Sequence, residues 1–153
     1  MLYEKLYREA EQHRIDIYEK PMSPRNKGLY ADSIIWINKG IPTRAEKACI
    51  LAEELGHYHT SVGDITDQTD LRHRKQECRA RQWAYETLVP LEKIVQAHLA
   101  RVASRYELAE YLGVTEEFLQ EAINRYREKY GIYKKTGNHI IHFDPVGVIE
   151  IFE

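Results

Sequence analysis

Residues 50–65 read ILAEELGHYHTSVGDI, with Glu53, Glu54 and His57 set in an otherwise apolar, helix-like run. The pattern differs at one position from His-Glu-x-x-His, in which two imidazoles one helical turn apart bind zinc. Residues 53 and 57 are four apart, so both side chains share one face of a helix and can address one ion. Glu54 is rotated by about 100° from Glu53, toward a water on that ion and not toward the ion itself. Cys49 lies about 12 Å along the axis from His57 and cannot share an ion with it while the helix persists. Gly56 inside the helix costs about 1 kcal/mol against Ala, which implies that something packs close to its backbone.

The flanks set the rest of the architecture. Thr43 and Glu46 form a capping box after Pro42, so a helix is expected over about 44–59. The polar loop ITDQTD leads to a second helix over about 71–88, before Pro90, and helix resumes in LEKIVQAHLARVA. Upstream, LYEKLYREAEQHR has Leu2, Leu6 and Ala10 at helical spacing. IDIYEK reads as a short strand stopped by Pro21, and LYADSIIWINKG as two short strands or one bent one. Downstream, Ser104 with Glu107 and then Thr115 cap two further helices separated by Gly113, a helix-turn-helix-like shape. The tail from Ile132 carries β-type runs broken by Thr-Gly-Asn and Asp-Pro-Val-Gly, so a C-terminal β-hairpin or small sheet is expected. The class is α+β. Residues 1–100 are expected to form the core, with 101–153 an appended segment packed on it.

Composition narrows the function classes. The chain has 153 residues, 43% hydrophobic and 30% charged, with a net charge of −2, so no global pull toward nucleic acid or anionic membrane exists. Residues 105–131 hold four basic and six acidic side chains, and Glu116, Glu117 and Glu121 would repel phosphates, which disfavours DNA binding. No stretch resembles a signal peptide or reaches membrane-spanning length. Cys49 and Cys78 offer no disulfide framework, and reduced thiols in a cytoplasmic protein are expected.

KGLYADSIIWIN, ILAEELGHYHTSVGDI and KQECRARQWAYETLVP together make the chain resemble the ImmA/IrrE-type metallopeptidases of bacteria and their mobile elements, including phages. The resemblance covers about residues 1 to 125. It implies a zincin-like core: a small antiparallel sheet, an active-site helix and a following helix that bears a ligand. That family's second helix carries a Glu ligand, then a small residue, an aromatic-Ala pair, Leu and Pro. These fall here on Glu77, Ala80, Trp83-Ala84, Leu88 and Pro90, with Arg81 a minor departure. The resemblance therefore implies Glu53, His57 and Glu77 as metal ligands and Glu54 as the base that activates a water.

Glu53 in place of an imidazole alters the chemistry. A carboxylate reaches zinc at about 2.0–2.2 Å, so coordination survives. Two carboxylates and one neutral His bring a divalent ion to zero net charge, which acidifies water less and shifts preference from Zn²⁺ toward harder ions such as Mn²⁺. Further ligands or supporting groups are His59, Asp64 in the loop, and His73 one turn before Glu77; His59 or Tyr58 could also donate to a developing oxyanion. The expected function is a metal-dependent endopeptidase whose protein substrate is a transcriptional repressor of a phage or mobile element. The alternative is a degenerate peptidase-like protein that binds a repressor or toxin-antitoxin partner without cutting it.

Overall fold

The computed structural model describes residues 2–60 and 70–152 and is a mixed α+β structure. It divides into two compact units, Met1–Ala84 and Tyr85–Glu153, with the division inside one helix.

The first unit contains α1 (Leu2–Gln12), β1 (Asp16–Lys20), β2 (Gly28–Ala31), β3 (Ile34–Asn38), α2 (Arg44–Thr60) and the first part of α3 (Asp70–Leu88). Its sheet has the order β1-β3-β2 and corrects the expectation of an antiparallel sheet. β2 and β3 form an antiparallel hairpin, but β1 runs parallel to β3, with Ile17 opposite Ile35 and Lys20 opposite Asn38. The reason is topological. The loop after β1 reverses the chain and leaves one strand position vacant. β3 then fills that position, antiparallel to β2 and so parallel to β1. The β2–β3 turn places Asp32 and Ser33 at φ 50° and 62°, the left-handed pair that a tight two-residue hairpin requires. Asn38, the buried polar residue at the end of β3, fastens the loop after β1. Its amide donates to the carbonyls of Ser23 (3.2 Å) and Asn26 (2.8 Å), and its oxygen accepts from Gly40 N–H (2.9 Å).

Alternation along β3 buries Ile35 and Ile37 completely, and α2 packs on β2 and β3. Leu51 and Leu55 of α2 are fully buried, and Leu6 and Ala10 bring α1 against α2. Each such aliphatic side chain contributes roughly 2 kcal/mol of burial. The other pleat face of the sheet holds Tyr18 and Trp36, ring centres 5.1 Å apart, with the Lys20 ammonium 4.5 Å above the indole. The Thr43 hydroxyl accepts from Glu46 N–H (3.2 Å), as the capping pattern predicts, and α2 begins at Arg44.

The second unit contains the end of α3, α4 (Leu91–Leu99), α5 (Arg105–Leu112), α6 (Glu116–Tyr130) and strands β4 (Tyr133–Thr136), β5 (His139–Phe143) and β6 (Val146–Glu150). Ser104 and Thr115 cap α5 and α6 by accepting from Glu107 N–H (3.1 Å) and Phe118 N–H (3.0 Å). Gly113, at φ 78°, ends α5 in the left-handed conformation that favours glycine. Of the hairpin or small sheet expected here, the structure has the small sheet: the chain turns back at Asp144-Pro145 and β6 pairs with β5. The Tyr126 hydroxyl donates to the Val89 carbonyl at 2.7 Å and ties α6 to the end of α3 within this unit. Among the described residues no helix is long and apolar enough to cross a membrane.

Candidate active site

α2 and α3 meet at Gly56 and Ala80. A Cβ on Gly56 would fall inside the Ala80 carbonyl oxygen, and within 2.9 Å of the carbon that bears it. Only a glycine permits this approach, which answers why a helix-weakening residue stands in the middle of α2. The crossing puts the next residue of α2, His57, against the preceding turn of α3, where Glu77 lies. His57 Nε2 is 3.2 Å from Glu77 Oε1, and both side chains are half-buried.

Glu54 is held from the other direction. Gly28 of β2 lies so close to α2 that a Cβ there would sit 2.7 Å from Ile50 Cγ2 and 3.4 Å from Glu54 Cγ. The stem of the Glu54 side chain thus lies against β2. Burial first, then the carboxylates of Glu53 and Glu77, push its pKa from 4.5 up to about 7. The Glu53 and Glu77 carboxylates raise the cost of ionising Glu54, and a divalent cation beside them would lower it. The 3.2 Å between His57 Nε2 and Glu77 Oε1 also matches the edge of a zinc tetrahedron, about 3.3 Å for bonds near 2.0 Å.

The other candidates are distributed differently. Glu53 is half-buried and has an interaction partner of its own; among the described residues it does not complete a three-ligand convergence with His57 and Glu77. His73 is exposed on α3 one turn before Glu77. Asp64 lies outside the described residues. His59 turns away from His57 to the α1 side of α2. There its Nε2 is 3.3 Å from Glu9 Oε1, and its ring stacks on Trp83 at 4.6 Å. Burial moves the His59 imidazole toward its neutral form, with Glu9 opposing that shift. Glu9 and His13, which join His59 here, are absent from the motif reading. Their only sequence signal is a four-residue spacing at the end of an amphipathic helix.

In the metal-free protein the burial of Glu54 has a consequence for stability. Below about pH 4.5 the group is protonated folded or unfolded; between 4.5 and about 7 only the unfolded chain ionises. Stability is therefore present below the lower value and lost as pH rises toward 7, by roughly 1 to 3 kcal/mol. Urea unfolding of the metal-free protein at pH 4.5 and 7.5 should show that loss, and Glu54→Gln should remove it. Equal slopes in the two proteins would mean that Glu54 is solvated.

Residues 10–124 match a peptidase family described as the IrrE N-terminal-like domain. The chain belongs to that family, whose members are metallopeptidases. No curated protein and no solved structure matches.

Proposed function

We propose that the protein is a metal-dependent endopeptidase with a zincin-like site, that Glu53, His57 and Glu77 hold the ion, and that a transcriptional repressor of a phage or mobile element is the substrate. The observation that carries this reading is the approach of His57 to Glu77 at 3.2 Å, with Glu54 buried alongside. Family membership supports the metal and the peptidase activity; the repressor follows from the resemblance alone.

A bound divalent ion supplies Lewis acidity, polarising the scissile carbonyl and lowering the pKa of a water. Glu54 takes the proton that this water loses as it attacks the carbonyl carbon, then delivers it to the departing amine nitrogen as the peptide bond breaks. Burial, the largest cause of the raised Glu54 pKa, suits a group that must both take and return a proton. β2 is an edge strand of the sheet and lies against α2 at Glu54, so an extended peptide added to its free side would run past the carboxyl. Such backbone pairing selects an extended conformation more than a sequence. α2 sets Glu53 one turn before His57 on the same face, so a change of side-chain rotamer would carry its carboxylate toward the His57–Glu77 pair.

A second reading is favoured by one observation, the failure of Glu53 to converge with His57 and Glu77: a peptidase-like protein that binds its partner without cutting it. The metal content of His57→Ala and Glu77→Gln, measured by plasma mass spectrometry after Zn²⁺ loading and desalting, separates the two. Loss of about one equivalent in each variant, relative to wild type, supports the endopeptidase. Unchanged metal content in both overturns it.

A further inference from the structure

Outside that site, α1 and α2 bring a second donor set together. Glu9 lies on the last full turn of α1, and His13 follows directly, its N–H still bonded to the Glu9 carbonyl at 3.2 Å. Arg14, at φ 58°, then turns the chain away. This leaves the two side chains one turn apart on one face, opposite His59 on α2. One ligand atom from each of Glu9, His13 and His59 lies within 4.8 Å of the others. We infer that these three residues form a second transition-metal site, separate from the His57–Glu77 pair, that binds Zn²⁺ and braces the end of α1 against the end of α2.

Two observations carry the assignment. His59 Nε2 is buried and has no hydrogen-bond partner among the described residues, although Glu9 Oε1 is only 3.3 Å away. The two atoms are close but not aligned as donor and acceptor. A buried polar nitrogen without a partner normally costs 1–3 kcal/mol, and an ion between these two atoms removes that cost. Their separation is the ligand–ligand edge of a zinc tetrahedron, about 3.3 Å. The second observation is the support around the ligands. The His59 ring is clamped by Trp83, stacked at 4.6 Å, and meets the His13 ring edge-on at 4.9 Å. The Tyr58 hydroxyl stands 3.5 Å from His13 Nδ1. Rings fixed in this way keep their nitrogens aimed without further ordering on binding.

The donor chemistry chooses the ion. Two imidazoles and one carboxylate suit Zn²⁺, whereas Mg²⁺ and Ca²⁺ require oxygen ligands in greater number. Three protein ligands leave one tetrahedral position for water.

This site does not depend on the proposed peptidase reading, and one measurement distinguishes their fates. Equilibrium dialysis of the full chain against Zn²⁺ should give about two ions per chain for wild type. Glu9→Gln and His13→Gln should each lose one ion and retain the one that His57→Ala removes. His13 is exposed and Glu9 half-buried at the surface, so both variants keep the fold, which circular dichroism verifies. The Zn²⁺-induced rise in melting temperature should also shrink in both variants. The inference is overturned if Glu9→Gln and His13→Gln bind as much Zn²⁺ as wild type. Loss at Glu9 and His13 with none at His57 would uphold this site and defeat the peptidase site instead.

Discussion

Glu54→Gln is expected to lower the rate of substrate cleavage by about a thousandfold while metal content stays at the wild-type level. Glutamine fills the same space, where Gly28 of β2 lies close to the side chain. It can still donate and accept hydrogen bonds, but it cannot take a proton from an attacking water at neutral pH. The proposed ligands His57 and Glu77 are untouched, and the loss of one buried carboxyl beside Glu53 and Glu77 lessens repulsion. Metal affinity should therefore hold or rise as catalysis disappears. A ligand role predicts the opposite pairing, with metal and activity lost together. Glu54→Asp provides a graded check, because it keeps the acid but withdraws it by one methylene. It should recover only part of the rate. The measurement is cleavage of the proposed repressor substrate followed by mass spectrometry of fragments, at saturating metal. A loss smaller than tenfold in Glu54→Gln would place the base elsewhere.

Local chemistry made much of the fold readable. Thr43, Ser104 and Thr115 each announced a helix start and each accepts the expected backbone bond, because capping is settled within four residues. Gly56 announced a close approach, and the Ala80 backbone is what approaches. The parallel pairing of β1 with β3 was not readable. A period of two marks a strand and its buried face but says nothing about which neighbour it takes or in which direction. The C-terminal sheet was readable in part, because Thr-Gly-Asn and Asp-Pro-Val-Gly mark two turns among β-type runs, and Val146–Glu150 follows the second. The candidate site divides along this line too. His57 and Glu77 sit in motifs on two helices, and spacing within each motif is local. Glu9 and His13 gain meaning only when α1 lies on α2, a tertiary fact that no window of sequence holds.

Gly56→Ala is expected to destabilise the protein by about 3 kcal/mol, the upper end of the overpacking range. On an exposed helix the same change would stabilise by roughly 1 kcal/mol, since alanine is the better helix former. The sign is reversed by what the new methyl meets. Its obstacles are the carbonyl oxygen, the carbonyl carbon at 2.9 Å and the Cα at 3.0 Å of Ala80, all backbone atoms of a helix, so no side-chain rotation relieves them. Relief requires α2 and α3 to move apart. That movement separates His57 from Glu77, which sit on the adjacent turns of the same crossing at 3.2 Å. The substitution should therefore lower the melting temperature by about 6–12 °C and weaken Zn²⁺ binding at His57 and Glu77 by at least about tenfold. Adding Ala80→Gly should rescue neither property, because it removes a side chain that is not the obstacle. Rescue by that second change, or a melting temperature that rises in Gly56→Ala alone, would mean that the two helices do not touch at this point. The proximity of His57 and Glu77 would then need another explanation.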